Sequence, residues 1–372
     1  MTVTGYPLPP LDGVDWDHLG FEPVEVNGHV ECHFSTATGS WTAPVFVSDP
    51  YLRVHGLAPG LNYAQQIFEG MKAFRNPSGD IQLFRLDQNA TRFARSASYV
   101  SIPLVPVDLF LRAVHLAVGM NTEYVPPHGT GAALYVRPIA FASSATVGLS
   151  LASHYTFCVY VLPVAPLHGN GIGHGADVLV VEDFDRAAPL GTGSVKVGGN
   201  YGPVLGLIAN AKKEGYGLTL HLDSRSHSLI DEFSTSGFIG VRNDQETPRL
   251  VVSNSQQIVP SVTVDSICEI ARSFGWDVEK RVIPFSDVAQ FSEVYAAGTA
   301  AVLVPVRSLQ RRSTGEQIKY EVDYSSPTSF FSQLYNTLYG VQQGVINDQW
   351  GWTTLVLKPE LTNGPRQEKA TS

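Results

Sequence analysis

Gly191-Thr-Gly-Ser-Val-Lys196-Val-Gly-Gly-Asn-Tyr201-Gly-Pro203 is the stretch on which the reading of this chain turns. A single lysine stands among glycine, valine and serine, and no acidic residue occurs between Arg186 and Lys196. An amine in such surroundings loses hydration, which disfavours its charged form, as a Schiff-base lysine requires. An exposed lysine on a glycine-rich turn has the same composition, so the segment needs partners from elsewhere in the chain.

Just upstream, the run from Pro163 to Gly175 is the densest in glycine and proline, and it reads as a boundary. It divides the chain into an N-terminal α/β unit over residues 1–165, a linker over 166–177 and a C-terminal α/β unit over 178–372 that carries the lysine. Helical and strand periodicities alternate on both sides, giving an α/β (α+β) class. Strands are predicted over Ile81–Arg85, Leu134–Phe141, Tyr155–Leu162, Val178–Val181 and Leu218–Leu222. Helices are predicted over Asp87–Ala97, with Asp87 near the N-cap, and over Val107–Gly119, Tyr201–Glu214 and Ser261–Phe274.

The 372 residues are 44% hydrophobic and 16% charged, enough apolar material for large cores and too little charge for a disordered chain. A net charge of -9 repels phosphate backbones and anionic lipid, so neither nucleic acid nor membrane is expected as a partner. Cys32, Cys158 and Cys268 are too far apart for a disulfide framework or a clustered metal site. His168 and His174 in the linker read as linker residues, so no metal is expected. With no basic, apolar leader at the start and no membrane-length apolar run, a cytoplasmic protein is expected.

Two further segments complement Lys196. In Leu229-Ile-Asp-Glu232-Phe-Ser-Thr235-Ser-Gly237, an acid among apolar residues could hold a cationic ring nitrogen, and the following turn could bind an anion. A strand-end carboxylate capping a turn would read alike. In Tyr295-Ala-Ala-Gly-Thr299-Ala-Ala301, small residues allow a backbone to approach a ligand closely, as they also allow a tightly packed turn. A lysine imine, a ring-nitrogen acid and a phosphate cup together say more than any one of them.

At these residues the chain resembles the branched-chain aminotransferases, pyridoxal-phosphate enzymes of fold type IV (the D-amino-acid aminotransferase-like fold). The likeness lies in Tyr63-Ala-Gln-Gln-Ile-Phe-Glu-Gly-Met-Lys-Ala-Phe74, Leu83-Phe-Arg85 with Asn89 and Arg92, Leu134-Tyr-Val-Arg-Pro138, Lys196-Val-Gly-Gly-Asn-Tyr201, Glu232–Phe238 and Gly298-Thr-Ala300. The resemblance implies a two-domain fold with pyridoxal 5'-phosphate between the domains, and a homodimer. It makes Lys196 the Schiff-base lysine and proton shuttle. Glu232 becomes the partner of the pyridine nitrogen, and Tyr201 the partner of the phenolic oxygen. Arg92 is implied as a fork donor to the phosphate, with Thr235 and Thr299 beside it. Tyr63, Phe68, Tyr135, Arg137 and Ala300 are implied to line the substrate pocket. The activity it implies is transfer of an amino group between a branched-chain or related hydrophobic L-amino acid and 2-oxoglutarate.

The chain also departs from that pattern. Gly237 stands where the family usually has asparagine. Gln256–Val264 replaces a block that usually carries two more glycines and a final arginine. Ala301 and Val304 stand where vertebrate members have a redox cysteine pair. The departures point to a diverged member of a specialised pathway, acting on a hydrophobic substrate other than valine, leucine or isoleucine. D-amino-acid or (R)-amine transamination, an aminodeoxychorismate lyase and a catalytically dead scaffold dimer are the remaining readings. Lys196, Glu232 and Arg92 standing together speak against the last.

Overall fold

The computed structural model describes residues 5–19, 23–165, 175–243 and 245–359. Most of the predicted linker, 166–174 with both of its histidines, lies outside the described residues.

Among the described residues, two sheets of nine strands each organise the fold. The first is antiparallel throughout. Its two longest strands, Ala133–Ala142 and His154–Val164, pair along their full length and are flanked by Met71–Arg75 and His29–Ser35. Helices Leu86–Tyr99 and Val107–Gly119 cover one face, where Phe93, Phe110 and Phe157 meet with ring centres 5.2 to 5.8 Å apart. Three buried aromatics in contact are strong stabilisers, since each removes a large apolar area from water.

The second sheet is mixed. Ala176–Val181 lies parallel to Leu218–Leu222 and to Val302–Arg311, whereas Gly237–Arg242 and Glu293–Gly298 pair antiparallel. Helices Val262–Ser273 and Phe330–Gln342 pack on it through Ile267, Ile270, Leu334 and Leu338, all fully buried. The last strand, Thr353–Leu355, returns to the first sheet and pairs with Ile81–Phe84.

The predicted elements all appear, most with ends shifted by one or two residues. The exception in chemistry is the start of Leu86–Tyr99. Its N-cap is Arg85, in the left-handed region at φ 49, and no side chain caps the helix. Arg85 is held there from outside: its N–H donates to the Trp352 carbonyl at 2.7 Å and its guanidinium to Asp265 at 2.9 Å. Asp87 sits inside the first turn, where its charge meets the positive end of the helix. Among the described residues, no helix is long and apolar enough to cross a membrane, and no cluster of His, Cys, Asp and Glu is placed to hold a metal ion.

Candidate active site

The lysine segment is stitched to the first sheet. Phe68 N–H donates to the Lys196 carbonyl at 3.1 Å, Lys196 N–H donates to Ser96 Oγ at 3.0 Å, and Ile67 and Val197 form an antiparallel bridge. The glycines before the lysine are required by crowding. A Cβ on Gly193 would meet the Ala187 Cβ at 2.4 Å and the Gln257 carbonyl at 2.5 Å.

Lys196 Nζ ends 3.1 Å from the Tyr201 hydroxyl, 4.6 Å from the centre of the Phe68 ring and 5.0 Å from that of Tyr201. Arg137 lies over Phe68 at 5.0 Å and over Tyr135 at 5.2 Å, and donates to the Tyr135 hydroxyl at 3.1 Å. Gly70 makes room for this wall, because a Cβ there would run into the Tyr135 hydroxyl at 2.0 Å.

Glu232 closes the other side from the buried strand Ile230–Phe233. Burial pushes its carboxyl up to about 8, against the pull of Arg186 and then Lys196, while neighbouring Asp231 pushes the same way as burial. Arg186 escaped the sequence reading. Its side chain is 1% exposed, with Nη2 3.5 Å from Glu232 Oε1 and the guanidinium over the Tyr201 ring at 5.3 Å. Glu232 Oε1 and Arg186 Nη1 are both buried without a hydrogen-bond partner, a costly arrangement unless a ligand completes it.

Arg92 corrects one expectation. Its Nε and Nη2 donate to the two oxygens of buried Glu69 at 2.7 and 2.8 Å, and Nη1 donates to the Pro260 carbonyl at 2.8 Å. The fork therefore holds Glu69, and only the remaining Nη protons are left for an anion. Burial alone would raise Glu69, but the charge of Arg92 and its hydrogen bonds, helped by Lys196 and Asn89, bring it below the ordinary value. Sequence spacing gave no sign of this pair, since Glu69 and Arg92 are 23 positions apart and meet only in the fold.

Arg92, Lys196, Tyr201, Glu232, Thr235 and Thr299 line one cavity with about 430 Å³ of atom-free space. Ser261, Val262 and Thr263 line it too. They begin the helix Val262–Ser273, whose N-cap Ser261 accepts from Val264 N–H. First-turn N–H groups have no partner within a helix and attract anions. Five of the expected residues, Tyr63, Phe68, Tyr135, Arg137 and Ala300, are not among those that line it. Tyr63 is half exposed and donates to the Val147 carbonyl at 2.6 Å, and the Ala300 carbonyl accepts from Lys72 Nζ at 2.6 Å.

Residues 66–309 match the family model of class IV amino-transferases. The branched-chain amino acid aminotransferase gloG of Glarea lozoyensis is 74% identical over 95% of this chain and 99% of its own length. Transaminase htyB of Aspergillus rugulosus is 69% identical over 97% of each chain. The fold is that of the branched-chain amino acid aminotransferase of Thermobaculum terrenum in its PLP form, with a TM-score of 0.71 and 19% identity over 90% of this chain and 99% of that one.

The fold is that of a transaminase, and the named relatives are transaminases. The chain belongs to the class IV aminotransferases, which depend on pyridoxal 5'-phosphate. The residues present fit that group. A buried acid with a free oxygen suits a ring N–H, and an amine suits an aldehyde. Arginine protons, hydroxyls and a helix N-terminus suit a phosphate.

The exchanged positions 237 and 264 meet beside this cavity, whose lining includes Gly237 but not Val264. A Cβ on Gly237 would lie 2.6 Å from Cγ2 of Val264. Val264 sits in the first turn of its helix, and a β-branched side chain there has little rotamer freedom. Gly237→Asn is therefore expected to destabilise the protein by about 1–3 kcal/mol through overpacking. Val264→Ala in the same chain should return most of it. Urea melts of the two single variants and the double variant measure the coupling, and additive effects would refute the contact.

Proposed function

We propose that this aminotransferase exchanges the amino group between a hydrophobic L-amino acid, branched-chain or closely related, and 2-oxoglutarate. The observation that carries the reading is the wall around the Lys196 amine. Phe68, Tyr201 and Tyr135 offer aromatic surface to an apolar side chain. Arg137, whose Nε has no hydrogen-bond partner, offers a cation to the distal carboxylate of an acidic oxo acid.

Position supports these roles. Lys196 would hold the cofactor's aldehyde carbon and move the Cα proton. Glu232 would keep the proton on the ring nitrogen. Tyr201 would orient the phenolic oxygen, while Arg92, Thr235, Thr299 and the helix beginning at Val262 would bind the phosphate. When bound, the cofactor would supply an electron sink for the carbon that loses its proton. The rings beside Lys196 exclude water, which strengthens each charged contact.

The second reading, a diverged enzyme for another hydrophobic substrate, draws support from Gly237 and the altered Gln256–Val264 block. Transamination of D-amino acids or (R)-amines has no specific contact in its favour. Values of kcat/KM for a panel of 2-oxo acids with both enantiomers of the donor decide among them. Preference for the three branched-chain oxo acids supports the first reading. Preference for a bulkier apolar acid supports the second, and use of the D donor overturns both.

A homodimer is part of this proposal. Leu57, Leu61, Tyr63, Val147, Leu149 and Leu151 are all exposed, a cluster of large apolar side chains of the kind that a second copy covers. Sedimentation of the holoenzyme tests it.

A further inference from the structure

Lys72 lies on the strand Met71–Arg75, 7% exposed, and is the one buried lysine among the described residues. Among the described residues its side chain makes one hydrogen bond, from Nζ to the Ala300 carbonyl at 2.6 Å. Burial, with no carboxylate opposing it, pulls the amine down to about 8. An ammonium ion buried without a counter-ion is expensive, so its anion is to be sought nearby.

Ala300 belongs to the turn that joins the strands Glu293–Gly298 and Val302–Arg311. The segment Gly70–Lys72 pins this turn at two points, because Thr299 Oγ1 donates to the Gly70 carbonyl at 3.3 Å. Val302 leaves the turn at φ 65, a conformation that a β-branched residue keeps only when its surroundings enforce it. Lys72, Val262, Thr263 and Thr299 border one small cavity, and the last three also line the cofactor cavity. Lys72 thus stands behind the wall that faces the phosphate.

Charge gives the pairing a reason. Around the two cavities stand four cations, Arg92, Arg186, Lys196 and Lys72, and two carboxylates, Glu232 and the Glu69 held by Arg92. Lys196 is committed to the aldehyde, so three cations face two ionised carboxylates and one positive charge remains for the phosphate. Without Lys72 none remains.

We propose that Lys72 is a positioning residue for the anionic end of the cofactor, holding the Thr299–Ala301 turn through the Ala300 carbonyl and supplying the uncompensated positive charge behind the phosphate cup. The proposal rests on the pyridoxal-phosphate reading of the site. Its test is a spectroscopic titration of the cofactor-stripped full chain with pyridoxal 5'-phosphate and, separately, with pyridoxal, which lacks the phosphate.

In Lys72→Met, the Kd for pyridoxal 5'-phosphate should rise about 10- to 100-fold, the scale of a lost charge-assisted contact, while that for pyridoxal stays within about twofold. Lys72→Arg, which keeps the charge, should recover most of the phosphate-dependent affinity. If the methionine variant fails to fold, Lys72→Gln carries the same comparison. Equal losses for both probes would mean that Lys72 merely supports the fold, and the proposal is overturned, as it is by an unchanged Kd for pyridoxal 5'-phosphate. Wild-type protein that binds neither probe overturns the cofactor reading itself, and the proposal with it.

Discussion

Lys196→Ala is expected to lower transamination by about 10⁴-fold or more, the scale on which enzymes lose activity when a covalent catalytic group is removed. Nothing else near the site can replace the amine. Lys72 is the nearest alternative in kind, but it is buried and bonded to the Ala300 carbonyl. Folding should survive, because the Lys196 segment is held by its backbone, through Phe68 N–H and Ser96 Oγ, and not by the side chain. The cofactor should still bind, since Arg92, Thr235, Thr299 and the helix N-terminus remain. Wild-type protein should be yellow, lose its colour with borohydride, and then carry the added mass on the peptide containing Lys196. The alanine variant should show neither the bleaching nor the added mass. An alanine variant within about tenfold of wild-type turnover would remove Lys196 from its assigned role.

Composition singled out Lys196 and Glu232 only as candidates, a lone amine among glycines and an acid pair in an apolar strand, and the resemblance to the family supplied the roles. Their neighbours were not legible, because those partners meet only in three dimensions. Arg186 is 46 positions from Glu232, Glu69 is 23 from Arg92, and Lys72 is 228 from Ala300. Periodicity likewise identified Val107–Gly119 and Leu218–Leu222 to the residue, since each has a full apolar repeat. The three-residue strand Thr353–Leu355 has too few positions to show one, so the return of the chain to the first sheet was invisible. Departures from the family pattern at 237 and 264 looked independent in sequence. In the fold they are in contact, the bare Cα of Gly237 facing a methyl group of Val264.

Glu232→Gln is expected to lower kcat by about 2–4 kcal/mol of barrier, roughly 30- to 1000-fold, while bound cofactor stays near one per chain. Glutamine has the shape of glutamate but no charge, so it cannot hold a proton on the ring nitrogen, whereas the phosphate contacts are untouched. The same substitution has an opposite effect on the stripped protein. There, burial holds Glu232 up to about 8 despite Arg186 and Lys196. An acid whose folded value lies above its unfolded value binds its proton more tightly when folded. Its contribution to stability is whole below the ordinary glutamate value and is lost as pH rises through 8. Glutamine cannot ionise, so the stripped variant should match wild type at about pH 5 and exceed it by up to a few kcal/mol at about pH 9 in urea melts. Arg186→Met should widen the loss in otherwise wild-type protein, because removing the neighbouring cation leaves the ionised carboxylate less compensated. Lower turnover together with higher stability is the signature of a charge kept for a ligand. A gap between wild type and Glu232→Gln that is constant across pH, or unchanged turnover, would show that this carboxylate faces something other than the cofactor's ring.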